Sequence, residues 1–172
     1  MKKYVLPTLV LLAAAGALAL YLRPTGTDYQ GDGYALQAPR DWKILQIAPV
    51  DVAFVLADGP EKRAFRPTIT LVVSPSNETI SATSETVKNI LAGLDQPGNA
   101  FVLRDKQDTT LNGLRCTTLT YTLTANGNRL AGTLTLVSAG KTYIFSYTTL
   151  ENEHQRSLPD FQALLASFHP TS

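Results

Sequence analysis

The residues of this chain best suited to chemistry are two carboxylates and an imidazole near the C-terminus. Glu151, Glu153 and His154 lie within four positions, and these side chains are ligands that a divalent cation accepts. Polar neighbours such as Asn152 and Gln155 surround them, which is typical of a solvated loop. We therefore predict no metal site and keep the three residues only as weak candidates.

Other sources of catalysis are missing from the sequence. No Gly-x-Ser-x-Gly nucleophile motif occurs, and Gly31-x-Gly33 lacks the third glycine of a dinucleotide-binding loop. His169 follows the last predicted helix, where a histidine interacts favourably with the helix dipole. Cys116 is the single cysteine, which excludes an intramolecular disulfide. We predict a protein that is not an enzyme and uses no cofactor.

The spacing of apolar residues predicts strands for most of the chain after residue 33. Four come first, and the last of them is apolar enough for a central position: Tyr34–Ala38, Trp42–Ile47, Asp51–Ala57 and Thr68–Val73. A meander of four more follows later: Phe101–Thr110, Leu114–Thr124, Arg129–Val137 and Thr142–Thr149. Asn112-Gly113 and Asn126-Gly127 are hairpin signals, because both residue types accept a positive φ.

Two amphipathic helices complete the pattern. The first has an apolar face with helical spacing, formed by Ile80, Thr83, Val87, Ile90, Leu91 and Leu94. The second is predicted to begin at Ser157 as the N-cap, with Pro159 in its first turn and Asp160 three residues after the cap. Strands, a helix, a meander and a final helix predict an α+β fold, an antiparallel β-sheet flanked by helices.

The two faces of the predicted meander differ in chemistry. Alternation gives one apolar face, which we expect to be core: Leu119, Tyr121, Leu123, Leu134, Leu136, Tyr143, Phe145 and Tyr147. The other face is rich in threonine: Thr118, Thr120, Thr122, Thr133, Thr135 and Thr148. Threonine is a good strand former, and we expect this face to be solvated or lightly covered. It is the candidate surface for a protein partner.

A segment of nineteen uncharged residues, Tyr4 to Leu22, precedes the strands. A helix of that length, at about 1.5 Å per residue, matches the hydrocarbon core of a bilayer. Lys2 and Lys3 lie before it, so the N-terminus stays cytoplasmic and the rest is exported. Ala17-Leu18-Ala19 has the form of a signal-peptidase site. Both a single-pass anchor and a cleaved signal peptide, which leaves a soluble periplasmic domain, fit the segment.

The sequence therefore divides into three parts: residues 1–22 as signal anchor or signal peptide, 23–28 as a short connector, and 29–172 as a single domain. Lys2, Lys3 and Arg23 are three of the 15 basic residues, so residues 24–172 hold 12 basic and 14 acidic side chains. This balance excludes a nucleic-acid partner, which needs a basic surface.

The order of these landmarks resembles the family that joins the PsbP proteins of photosystem II with bacterial DcrB-like exported proteins. The matching segments are Gly33-Tyr34 with Ala38-Pro39-Arg40-Asp41-Trp42, Phe65 to Val73, Leu111-Asn112-Gly113, and Phe161 to Phe168. Thr68 stands where Asn is common in the family. The resemblance implies an α/β/α sandwich that acts by binding, as an accessory or assembly protein on an extracytoplasmic or lumenal membrane face. It transfers no functional residue, because the matched positions are structural.

Two functions are compatible with these observations. The first is a membrane-tethered, non-catalytic protein that binds an envelope protein complex or assists its assembly. The alternative is an exported domain that binds a small ligand or lipid in a cavity between sheet and helix.

Overall fold

The computed structural model describes residues 28–57, 65–125 and 127–171. Their strands are β1 (Asp28–Gly31), β2 (Tyr34–Gln37), β3 (Trp42–Leu45), β4 (Val52–Leu56), β5 (Thr68–Ser74), β6 (Val102–Leu111), β7 (Leu114–Ala125), β8 (Asn128–Ala139), β9 (Lys141–Leu150) and β10 (His169–Pro170). They form two antiparallel sheets. The larger has seven strands in the order β3-β4-β5-β9-β8-β7-β6, and the smaller has the order β1-β2-β10.

The predicted meander is confirmed. Strands β6 to β9 are neighbours in the large sheet, and β5 lies third from one edge, which agrees with the central position expected from its apolar sequence. Asn112 and Gly113 turn the chain between β6 and β7 with φ angles of 51° and 82°. The hairpin therefore uses the positive φ that an Asn-Gly pair accepts at low energetic cost.

Helix α1 spans Glu85–Leu94, so the assignment of Ile80 and Thr83 to its apolar face was wrong. The carboxylate of Glu78 explains the later start, because it accepts hydrogen bonds from the backbone N–H of Glu85 (3.1 Å) and the hydroxyl of Thr86. These bonds satisfy donors of the first helical turn. Ile80 is nevertheless buried, and it packs in the core as part of the segment that precedes the helix.

Helix α2 spans His154–Ser167 and follows a one-turn 3-10 helix at Glu151–Glu153. The predicted start at Ser157 was therefore three residues late. Ser157 is buried inside the helix, where its hydroxyl forms a 2.7 Å hydrogen bond with that of Tyr147. A serine that resembles an N-cap in sequence is thus a buried contact between α2 and β9.

The two helices cover opposite faces of the large sheet. On the α1 face, Val87, Ile90 and Leu94 of the helix join a buried cluster with Leu119 and Leu134 of the sheet. The other side, the α2 face, has a second buried cluster that includes residues of α2 and the small sheet: Phe161, Leu164, Phe168, Tyr34, Leu36, Trp42, Phe54, Phe145 and Tyr147. The fold is therefore a layered antiparallel sheet with two helices, as predicted.

No helix within the described residues is long and apolar enough to cross a membrane. The predicted membrane segment, Tyr4 to Leu22, lies outside the described residues. The small sheet was not predicted as a separate unit. Its strands β1 and β10 have only four and two residues, too few for an alternating pattern.

Candidate functional site

The register of the large sheet decides which side chains share a face, because residues opposite each other on neighbouring strands point the same way. Thr120 pairs with Thr133, and Thr133 pairs with Tyr147. In the same way Thr118 pairs with Thr135, which pairs with Phe145. The aromatic side chains of β9 therefore share the α2 face with the threonines. The predicted grouping of these aromatics with Leu119 and Tyr121 was wrong.

Thr148 lies on the other side of the sheet from the remaining five threonines. It pairs with Gly132, which pairs with Tyr121 on the α1 face. Alternation fixes the faces within one strand, whereas the turn at Gly140 fixes how β9 is aligned with β8. The sequence predicted the alternation of each strand correctly but could not supply this alignment.

Two threonines of the α2 face are buried, and three are only half-buried. Thr133 and Thr135 are covered, and Nε2 of His154 lies 3.2 Å from the Thr133 hydroxyl oxygen. The remaining three, on β7, form what we call the threonine surface: Thr118, Thr120 and Thr122. Asp105 and Gln107 of β6 lie opposite two of them and extend the surface to the edge of the sheet.

The threonine surface consists of groups that can form hydrogen bonds. It offers three hydroxyls, with the Asp105 carboxylate and the Gln107 amide beside them, and Nε of Arg104 donates a 3.2 Å hydrogen bond to the Thr122 hydroxyl. At its margin, burial lowers the pKa of His154. Hydroxyls, an amide and a carboxylate suit hydrogen bonding to another surface.

Strand β6 forms the open edge next to the threonine surface. Its side chains are exposed on both faces over nearly its whole length. Among the large apolar side chains of the described residues, Val102 (45% exposed) and Leu103 (36%) are the exposed ones. The sequence predicted this strand but not its edge position. The succession of charges from Arg104 to Asp108 was the available signal, since edge strands carry such charges.

The weak metal candidates are engaged in other contacts. Oε2 of Glu151 lies 2.9 Å from Nε of Arg129 in an ion pair, and His154 contacts Thr133 and the ring of Tyr147. In the part of the chain that the structure describes, no three His, Cys, Asp or Glu side chains come together as metal ligands. Cys116 is buried, and burial raises the pKa of its thiol.

Side chains of both layers occupy the interfaces between helices and sheet. Val87 and Leu94 of α1 are buried against the leucines of β7 and β8. The ring of Phe168, just after α2, lies 5.1 Å from that of Phe145. The alternative hypothesis of a ligand cavity between sheet and helix needs space beside these contacts.

The sequence model of the PsbP family matches residues 27–170. This chain belongs to the PsbP family. The resemblance predicted from the landmark residues is therefore confirmed. No curated protein sequence matches the chain significantly.

Solved structures share its fold at low sequence identity. CyanoP, the PsbP protein of the cyanobacterium Synechocystis sp. PCC 6803, superposes with a TM-score of 0.62 at 19% identity, over 90% of this chain and 98% of CyanoP. LpqN of Mycobacterium tuberculosis, which is involved in cell envelope biogenesis, gives 0.61 at 17%, over 92% and 94%. PA94 of Pseudomonas aeruginosa, a putative regulator of unknown function, gives 0.58 at 17%, over 91% and 99%.

Proposed function

We propose that this chain is a non-catalytic accessory protein of the cell envelope that binds a protein complex through the threonine surface. Its family supports the first part, because PsbP-like proteins are accessory proteins rather than enzymes. The structural likeness to LpqN, a protein involved in cell envelope biogenesis, is consistent with an envelope setting.

The observation that carries the proposal is the unequal covering of the sheet. Helix α1 covers one face, whereas on the other face the start of α2 contacts Thr133 of β8 through His154. Thr118, Thr120 and Thr122 of the next strand, β7, stay half-buried. Because β-branched side chains have few rotamers, such a surface loses little conformational entropy when a partner orders it.

Attachment to a membrane is the second part of the proposal. Tyr4 to Leu22 is the proposed anchor, residues 23–28 are the connector, and 29–172 is the domain on the extracytoplasmic side. Strand β1 begins at Asp28, so little free chain separates anchor and domain. If Ala17-Leu18-Ala19 is cleaved, the same domain is released into the periplasm.

The experiment is purification of the tagged full chain from carbonate-washed membranes in mild detergent, followed by intact mass and identification of co-purifying proteins. The intact mass reports whether residues 1–19 are retained. We expect a specific protein complex with the unaltered chain. Thr120→Arg places a long cation in the middle of the threonine surface, and we expect it to reduce recovery of that complex roughly tenfold, the equivalent of about 1.4 kcal/mol.

Thr83→Arg is the matched control. Thr83 is exposed in the segment before α1, and its hydroxyl forms a hydrogen bond with that of Ser81. The control adds the same charge at a distance from the threonine surface and is expected to retain the complex. Equal loss in both variants, or no specific protein with the unaltered chain, contradicts the proposal.

A further inference from the structure

Strand β6 is paired with β7 on one side, and no strand of the described residues pairs with its other side. Its ten residues form the edge of the large sheet, and nine of their side chains are exposed. Every second residue of such a strand directs its backbone N–H and C=O away from the sheet. Those groups can extend the sheet if a strand of matching chemistry approaches.

The geometry of β6 is regular except at one residue. In the register with β7, Leu103 pairs with Tyr121 and Asp105 pairs with Thr120, so Arg104 is an extra residue in a β-bulge. Without Arg104, nine residues of β6 lie in the ladder, and Gln107 is the middle one. A twofold axis through Gln107 therefore aligns β6 with a reversed copy of itself over its full length.

This alignment also matches charge. Lys106 and Asp108 point to the same face, because their partners on β7 are Leu119 and Thr117, two positions apart. An axis through Gln107 places Lys106 opposite Asp108 of the second copy, twice by symmetry. Both side chains are exposed, and Oδ1 of Asp108 accepts hydrogen bonds from the Ala82 N–H and the Thr117 hydroxyl. Opposite charges in direct cross-strand positions stabilise a sheet.

The apolar side chains match in the same alignment. Counting past the bulge, Val102 lies opposite Leu111 of the second copy. Both belong to the α2 face, since their partners on β7 are Thr122 and Leu114. The most exposed apolar side chain of the strand, Val102, is thereby covered by another apolar side chain.

Neighbouring alignments are excluded by like charges. The α1 faces of the two copies form one continuous face only if the axis passes through a residue. An axis between two residues would set residues of opposite faces against each other. An axis through Lys106 sets lysine against lysine, and an axis through Asp108 sets aspartate against aspartate. These charges, which also repel most foreign strands, therefore favour the alignment at Gln107 over its two neighbours.

We propose that β6 pairs antiparallel with β6 of a second copy about an axis at Gln107, which joins two seven-stranded sheets into one continuous sheet. The two threonine surfaces then lie on the same side, one on each side of the axis. The proposal rests on β6 alone and does not depend on the proposed function.

The test is disulfide trapping of the full chain in mild detergent. Gln107→Cys sets two cysteines directly opposite, with Cα atoms about 4.5–5.5 Å apart, which a disulfide spans. We expect a covalent dimer on non-reducing gels. Thr109→Cys is the control, because its own counterpart lies about four residues, or roughly 13 Å, along the strand. The unaltered chain, in which Cys116 is buried, gives the background.

A charge change tests the register. Lys106→Asp in the Gln107→Cys background sets aspartates opposite each other, and we expect the dimer band to fall at least fivefold, whereas Lys106→Arg retains it. Lys106 and Gln107 are both exposed, so we expect neither change to prevent folding. Background-level trapping of Gln107→Cys overturns the proposal, as does equal trapping of Thr109→Cys or of the Lys106→Asp variant.

Discussion

In the large sheet, the side chain of Tyr121 leaves no room for a Cβ atom at Gly132. The two residues are opposite each other on β7 and β8, and the tyrosine ring lies across the glycine. A Cβ atom at Gly132 would stand 2.2 Å from Cζ of Tyr121. Burial also raises the pKa of Tyr121. A side chain at position 132 would therefore overlap the ring, and glycine is required opposite it.

We predict that Gly132→Ala destabilises the domain by about 1–3 kcal/mol, the usual cost of overpacking a filled core. Urea unfolding followed by circular dichroism measures the loss. Tyr121→Leu removes the end of the ring, so the alanine should cost much less in that background, and the two changes should be strongly non-additive. An equal cost of Gly132→Ala in both backgrounds contradicts this explanation.

At the scale of elements, the segment from Glu151 to the first turn of α2 controls how far the α2 face is covered. The Tyr147 hydroxyl donates to the carbonyl of His154 (3.0 Å) and is bonded to Ser157. The His154 ring packs 5.2 Å from that of Tyr147 and contacts Thr133. This start of α2 marks the boundary between the buried threonines and the threonine surface.

His154 should make the stability of the folded domain depend on pH. Since burial lowers its pKa in the folded state, the unfolded chain binds the proton first. The contribution of His154 to stability is therefore complete above the unfolded pKa of about 6.5 and is lost as the pH falls through the folded pKa. We predict a larger decrease in Tm between pH 8 and pH 5 for the unaltered chain than for His154→Gln.

The glutamine keeps a polar group near Thr133 and cannot titrate in this range. The acidic groups are the same in both proteins, including Glu153 and the ion-paired Glu151, so the difference between the two proteins isolates the imidazole. An identical pH dependence of Tm in both proteins refutes the assignment.

The sequence predicted which elements form but not how they are aligned. Alternation identified the long strands, and Asn112-Gly113 identified a hairpin, because both are local signals. The faces of β9 were assigned wrongly, since the register across Gly140 is set by tertiary packing. The start of α2 was missed for a similar reason. Ser157 is bonded to Tyr147, a contact that its neighbours in sequence do not reveal.

At the scale of the whole molecule, hydrogen bonds join the first described residue to the end of α2, and the end of α2 to the β6–β7 turn. Asp28 accepts a 3.0 Å hydrogen bond from the Gln37 side chain, and the Gln37 backbone N–H donates to the hydroxyl of Ser167 at the end of α2. Asn112, in the β6–β7 turn, donates to the carbonyl of Ala166. Asp28 and the β6–β7 turn are therefore both joined to the end of α2, and the hairpin, about 30 Å long, runs from that end of the molecule.

The most direct test of the account is site-specific photo-crosslinking in intact membranes. A photoreactive amino acid replaces Thr118 or Thr120 on the threonine surface, or Thr83 as the control. We predict that the first two positions give a covalent adduct with the same envelope protein and that Thr83 gives none. No adduct from the threonine surface, or the same adduct from all three positions, contradicts the account.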